Sequence, residues 1–217
     1  MPLPLYLATP SSAPARDLMS AGGLGQMVTP YAGNARVPGA LWALDNGCFS
    51  TAGWTPDRWL ATLDKLSEGP IQTEADALAN GWWQPCLFAV VPDVVGDAAA
   101  TDSMWVRWFR AVIRNGFRPA YVAQDGAGPG CLPPAATALF IGGSTEWKLG
   151  VEARRIVAEA HRRGMWVHMG RVNSERRLRY ASDIGCHSVD GTFLAFGPDI
   201  NLPRLQSWLN PAQPSLW

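Results

Sequence analysis

This sequence has few charged side chains and no long apolar run, and each scarcity excludes a class of protein. Charged residues make up 17% of the 217 positions and hydrophobic residues 47%, which argues against intrinsic disorder and for a compact folded domain. No apolar run approaches the ~20 residues that a membrane-spanning helix needs, and the N-terminus lacks the basic start of a secretory signal. We therefore expect a cytoplasmic protein without a membrane partner, built as one domain over residues 1–210 with a short tail at 211–217.

Cysteine and histidine are also scarce. The four cysteines are widely scattered without a C-x-x-C pair, so neither a disulfide framework nor a zinc ribbon is indicated. The three histidines are not at metal-ligand spacing. The sequence predicts reduced thiols, no metal site and no cofactor.

Lysine is nearly absent, since sixteen of the eighteen basic residues are arginine. Eight of these arginines fall between Arg154 and Arg179, where the only acidic residues are Glu159 and Glu175. Two interpretations stay open: a solvated helix face, or a surface for the phosphate backbone of a nucleic acid. The candidate nucleic-acid contacts are Arg154, Arg155, Arg171, Arg176 and Arg177.

Short β-rich runs alternate with amphipathic segments along most of the chain. The runs lie at 3–9, 25–30, 40–47, 86–93, 119–126, 138–143, 165–170 and 187–192. Helical patterns lie at about 55–67, 97–115, 145–163 and 173–184. This alternation predicts an α/β fold with parallel strands, most simply a compact TIM-like (β/α)8 barrel, with a doubly wound open sheet as the alternative. Because 217 residues are fewer than the typical ~250, some helices must be short or missing.

Six of the apolar runs end in a polar residue or in a short segment that contains glycine. These end residues are Asp45, Asp93, Gln124, the pair Gly142 and Gly143, the pair Met169 and Gly170, and Asp190. Any one of them is explained by turn chemistry, but six in register predict a shared position. In a parallel barrel the carboxyl ends of the strands meet at one mouth, where active sites of this architecture are built.

This set of residues suits the cleavage of a glycosidic bond. Such a bond needs one carboxylate at the anomeric carbon and another that manages the proton of the leaving group, and Asp45 and Asp190 are the candidates. A purine leaving group would also need hydrogen bonds along its edge and apolar cover on its faces. The candidates for these contacts are Asp93, Gln124, the backbone N–H groups of Gly142 and Gly143, and the side chains of Phe49 and Met169.

Six motifs occur in a familiar order: "LDNGCF", "VPDVVGDAAAT", "VAQDG", "FIGGS", "HMGRV" and "SVDGT". The series, from about residue 40 to 195, resembles that of the tRNA-guanine transglycosylase superfamily, and in particular its small phage and bacterial DNA-guanine transglycosylases. The resemblance implies that guanine in DNA is exchanged for a 7-deazaguanine such as preQ0 through a covalent aspartyl intermediate. The implied partners are DNA, guanine and the incoming base, without a cofactor. Family members often dimerise, so a homodimer is a further expectation, and a phage-encoded protein would act in the host cytoplasm.

The resemblance also assigns roles by motif. Asp190 matches the nucleophile, Asp45 the general acid/base, and Asp93 the residue that reads the Watson–Crick edge. The remaining base contacts match Phe49, Gln124, Gly142, Gly143 and Met169.

The sequence departs from the tRNA-acting members at its C-terminal end. Those members carry a zinc site of three cysteines and a histidine beyond the nucleophile, whereas the chain after Asp190 contains neither residue type. We therefore expect a barrel without the zinc module and a substrate other than tRNA. Two alternatives stay open: a base-excising DNA glycosylase or nucleoside hydrolase on the same fold, and a non-catalytic module that binds a base or nucleotide. The identity of the deazapurine and the strandedness of the DNA also stay open.

Overall fold

The computed structural model describes residues 3–31, 33, 35–49, 54–67 and 86–210. Eight parallel strands within these ranges close into a barrel in chain order, with the first strand paired to the last. The strands are β1 (Leu5–Ala8), β2 (Gly25–Val28), β3 (Trp42–Leu44), β4 (Cys86–Val90), β5 (Pro119–Ala123), β6 (Ala138–Ile141), β7 (Trp166–Met169) and β8 (Ser188–Asp190). The predicted α/β TIM-like barrel is confirmed, and the open doubly wound sheet is excluded.

Seven helices surround the barrel in the described ranges. They are α1 (Ala13–Ser20), α2 (Pro56–Leu66), α3 (Ala98–Arg114), α4 (Thr145–Lys148), α5 (Val151–Arg162), α6 (Glu175–Asp183) and α7 (Pro198–Trp208). Four of them start at a side chain that accepts a backbone N–H of the first turn: Ser12, Asp97, Ser144 and Ser174. None of the helices in these ranges is long and apolar enough to cross a membrane. The predicted tail at 211–217 lies outside the described residues.

Alternation along the strands produces two apolar layers. One set of side chains fills the barrel, including Leu7, Phe88 and Val122. The other set packs between the barrel and the helices, and it includes Val167 and Met169 of β7. On the same strand, Trp166 packs against the inner layer. The choice of layer decides which strand residues can reach the mouth of the barrel.

Candidate active site

A cavity of about 410 Å³ opens at the carboxyl ends of the barrel strands. Its volume falls within the range of ~300–1,000 Å³ that is usual for small-molecule sites. The prediction that Asp45, Asp93, Gln124 and Asp190 line one mouth is confirmed. Phe49, Gly142, Gly143 and Arg171 line the same cavity.

Asp190 lies at the end of a hydrogen-bonded chain that runs through the barrel interior. It is the last residue of β8, so it belongs to the strand and does not close a turn. Its Oδ1 is 3.0 Å from Nε2 of His168, whose Nδ1 is 2.8 Å from Oγ of Ser188. The indole N–H of Trp166 donates to the same Ser188 oxygen at 2.8 Å. His168 and Ser188 are fully buried, whereas Asp190 is partly exposed to the cavity.

The chemistry of the two end groups sets the direction of the hydrogen bonds at each end of this chain. An indole N–H can only donate, so the hydroxyl oxygen of Ser188 accepts from Trp166, and the same hydroxyl lies 2.8 Å from Nδ1 of His168. A carboxylate can only accept, so Nε2 of His168 is the donor to Asp190. The chain thus presents a fixed hydrogen-bond donor to the carboxylate and holds it at the floor of the cavity.

Asp45 reaches the cavity from β3, separated from β8 by β1 and β2 on one side of the barrel. Burial raises the pKa of Asp45 to about 7, and the negative charges of Asp190 and Asp93 act in the same direction. The backbone N–H groups of Asn46 and Gly47 donate to its carboxylate and partly oppose the shift. At neutral pH Asp45 is therefore protonated in a large fraction of molecules and can donate a proton.

Asp93 and Gln124 form a buried polar network beside Asp45, just after strands β4 and β5. Asn46 donates to one carboxylate oxygen of Asp93 at 2.7 Å, and Gln124 donates to the other at 2.5 Å. Burial raises the pKa of Asp93, while these two hydrogen bonds lower it. The amide oxygen of Gln124 accepts from the backbone N–H groups of Gly96 and Gly143, at 3.0 and 2.8 Å. The network therefore holds both side chains in one orientation.

Two predicted base contacts are placed differently from what the sequence suggested. The N–H of Gly143 is engaged by Gln124, and that of Gly142 donates to Ala123 within the sheet at 3.0 Å, so neither is free for a base. A Cβ at Gly142 would lie 2.9 Å from the amide nitrogen of Gln124. The glycine thus serves the close approach of the backbone to this side chain. Met169 is fully buried in the layer between barrel and helices, so the prediction that it covers a base is wrong.

Phe49 and Arg171 meet at the rim of the cavity. Phe49 is 62% exposed, and the guanidinium carbon of Arg171 lies 4.8 Å from the centre of its ring. The same guanidinium donates to the carbonyl of Gly143, across the mouth. Arg171 holds this position with a φ of 59°, in the left-handed region that few residues other than glycine adopt. Met27 and Phe140 add apolar surface to the lining of the cavity.

The remaining predicted nucleic-acid contacts divide into two groups. Arg154, Arg176 and Arg177 line a second groove outside the cavity. Arg155 does not line it, and its guanidinium lies 3.0 Å from Glu152 on the same helix. The structure thus brings together three of the five predicted arginines and places Arg171 in the cavity itself.

Sequence reasoning missed His168, Ser188, Trp166 and Asn46 as parts of the site. A signal was present in the strand period, because Trp166 and His168 are two residues apart, as are Ser188 and Asp190. Residues spaced in this way share a face, and the register of β7 on β8 sets His168 directly beside Ser188. In the described part of the chain, no group of three or more His, Cys, Asp or Glu side chains is arranged to hold a metal ion.

Comparison with known proteins adds a fold neighbour. No protein-family model and no curated protein matches the chain. A solved structure described as "Native KDPGal structure" is similar at 14% sequence identity with a TM-score of 0.50, covering 96% of this chain and 91% of that chain. A likeness at this identity bears on the fold alone, and it agrees with the TIM-like barrel described above.

Proposed function

We propose that this protein is an enzyme that exchanges guanine in DNA for a 7-deazaguanine base. The observation that carries the proposal is the pair of differently equipped carboxylates, Asp190 and Asp45, in one cavity at the mouth of the barrel. Asp190 is held by a hydrogen-bond donor beneath it, and Asp45 has a pKa of about 7. The motif series quoted above adds the choice of substrate.

The first half of the reaction breaks the bond between C1′ and N9 of the target deoxyguanosine. A carboxylate oxygen of Asp190 attacks C1′ and forms a covalent ester-like bond to the sugar. Guanine leaves with the electron pair of the broken bond and takes a proton from Asp45. The ring N–H of His168 holds the Asp190 carboxylate in position during the attack.

The second half reverses these roles with a different base. The incoming 7-deazaguanine gives its N9 proton to the Asp45 carboxylate, its N9 attacks C1′, and the bond to Asp190 breaks. No external oxidant or reductant is needed, because one C–N bond is exchanged for another. A target inside a duplex would have to be flipped out of the stack to reach a cavity of this kind.

Asp93 and Gln124 suit the polar edge of a guanine. Each carboxylate oxygen of Asp93 accepts one hydrogen bond from the protein and has further lone pairs for donors of the base. Guanine presents such donors at N1 and at its exocyclic N2 amine. Phe49, at the rim, offers an exposed ring on which the base can stack.

The test is incorporation of radiolabelled guanine into DNA, followed by mass spectrometry of nucleosides after incubation with candidate 7-deazaguanines. We expect exchange with the unaltered protein, and loss of both exchange and any trapped protein–DNA adduct in Asp190→Asn. Asp183→Asn, which changes an exposed carboxylate on α6, is the matched control and should retain activity. Abasic sites without exchange would replace the proposal by base excision, and the absence of either product would favour a non-catalytic binding module.

A further inference from the structure

A second groove of about 500 Å³ lies on the outer side of the loop that follows β7. We call it the arginine groove, and its lining includes Thr145, Arg154, Ser174, Arg176, Arg177 and Tyr180. The three arginines come from two different helices, α5 and α6. Their convergence is therefore not a property of one helix face.

The arginine groove gathers positive charge without a counterion. No carboxylate lines it, and none of its three arginines forms an ion pair within the described ranges. Other arginines of the same helices are paired: Arg155 lies 3.0 Å from Glu152, and Arg179 lies 3.2 Å from Glu175. Like charges gathered in this way repel one another, and a bound anion relieves the repulsion.

Two of the three guanidinium groups are held in place by neighbours that leave their charge unneutralised. Arg154 lies over the ring of Tyr180 at 4.6 Å, and Arg177 donates to the carbonyl of Arg171 at 3.3 Å. Ser174 caps α6 at the edge of the groove, where the backbone dipole of the helix also favours an anion. Held guanidinium groups lose little side-chain entropy when they bind, and their planar forks match phosphate oxygens.

The groove and the cavity lie on two sides of one loop. The side chain of Arg171 lines the cavity, and its backbone carbonyl accepts a hydrogen bond from Arg177 of the arginine groove. The preceding carbonyl, that of Gly170, accepts from the buried amine of Lys148 at 2.7 Å, which fixes the start of the loop. A strand whose base enters the cavity would therefore pass the arginine groove with a neighbouring phosphate.

We propose that the arginine groove binds a backbone phosphate of the DNA strand beside the target nucleotide. This inference rests on the proposed function for its occupant. Arg154 and Arg176 are exposed and Arg177 is half-buried, so the groove suits a phosphate tethered to a strand that the cavity also holds. Contact with a phosphate carries no base sequence, so the groove should contribute equally to any strand.

The experiment measures binding of short labelled single strands by fluorescence anisotropy over a range of salt concentrations. One oligonucleotide contains a single guanine and the other contains none. For the double variant Arg154→Gln/Arg176→Gln we expect about tenfold weaker binding of both at low salt. The slope of log K against log salt should fall in magnitude by about 0.7, the worth of one lost phosphate contact on a single strand.

The matched control is Arg114→Gln/Arg162→Gln, which removes two exposed arginines from α3 and α5 outside the groove. It should leave the slope unchanged, and thermal melting should show that both double variants are folded. Equal slopes in all three proteins, or an equal loss in the control, would overturn the inference. Specific displacement of the strand by inorganic phosphate at matched ionic strength would assign the groove to a free anion and would also overturn it. Failure of the proposed function shows instead as absent guanine exchange, which this binding measurement does not require.

Discussion

Asp45 and Asp190 carry the same side chain but have different surroundings within one cavity. Asp45 is half-buried near two other carboxylates, and burial together with their negative charges raises its pKa to about 7, whereas Asp190 receives a hydrogen bond from a buried imidazole. Different surroundings of this kind would suit separate roles for the two carboxylates, as in the proposed reaction, where Asp45 donates the proton and Asp190 attacks C1′.

Asp45 predicts how base exchange responds to pH. As a general acid it must be protonated, and with a pKa of about 7 the protonated fraction falls as the pH rises through neutrality. The exchange rate should therefore decline above pH 7. In Asp45→Asn the rate should be lower by about 10²- to 10⁴-fold, and the decline near pH 7 should disappear. Labelled-guanine exchange between pH 5 and 9 measures both effects, and an unchanged decline in the variant would remove Asp45 from this role.

His168 predicts a graded loss when its ring is replaced. Gln at this position can present an amide N–H to Asp190, whereas Met fills the space without a donor. Loss of a hydrogen bond to a charged group is worth ~1.5–3 kcal/mol, so His168→Met should lower kcat by about 10- to 100-fold. His168→Gln should recover part of this loss, and KM for the DNA should change little in either variant. Steady-state exchange kinetics test this, and equal loss in the two variants would reduce His168 to a packing role.

At the scale of elements, the ends of the strands were predictable and the faces of the strands were not. Short apolar runs located all eight strands, and the residues that end six of these runs located most of the mouth. The run "MWVHMG" is apolar on both sides, because a strand of a parallel barrel is buried on both faces, so it does not show whether His168 or Met169 points inward. The structure settles this through the pairing of His168 with Ser188 on β8.

The helices show the same limit. The predicted helix at 145–163 is interrupted, because Gly150 has an extended ψ of 177° and starts a second helix there. Helix α1, only eight residues long, was not predicted. Helix α7 contains Pro203 in its interior, which argues against a helix when the sequence is read alone. The hydrogen bond of the Gly143 N–H could not be predicted from the sequence either, because its acceptor is the side chain of Gln124, which follows the neighbouring strand.

Gly191 predicts how closely β8 must fit the loop after β7. A Cβ at this position would lie 2.6 Å from the hydroxyl of Tyr6 and 2.7 Å from the carbonyl of Val172, and against the side-chain oxygen of Asn173. Gly191→Ala should therefore lower the free energy of unfolding by about 1–3 kcal/mol and reduce exchange through displacement of Asp190. Chemical denaturation and the exchange assay measure these two effects.

Gly128 offers the control for this substitution. A Cβ there meets no atom within 4 Å, so Gly128→Ala should leave both stability and activity close to those of the unaltered protein. If the two variants were equally stable and active, the close fit at Gly191 would have no bearing on the site.

At the scale of the whole molecule, the carboxylates that line the cavity lower the free energy of unfolding. Three aspartates line the cavity, and burial raises the pKa of both Asp45 and Asp93, so their charged forms are disfavoured in the folded state. An enzyme that needs these carboxylates accepts this loss, whereas a fold without a function for them would gain by replacing them.

Asp45→Asn should therefore make the folded protein more stable while it lowers activity. The folded pKa of about 7 lies above the ordinary value of 3.8, so the folded state holds a proton that the unfolded state has already released. Between these two values the unaltered protein loses stability as the pH rises, and the loss is complete above pH 7. The variant, which has no ionisable group at this position, should be more stable by about 2–4 kcal/mol at pH 8, and the difference should vanish near pH 4. Urea denaturation at several pH values measures this, with Asp183→Asn as the matched loss of an exposed carboxylate. A stability difference that does not grow from pH 4 to pH 7 would contradict the buried environment assigned to Asp45, and with it the source of its acidity in catalysis.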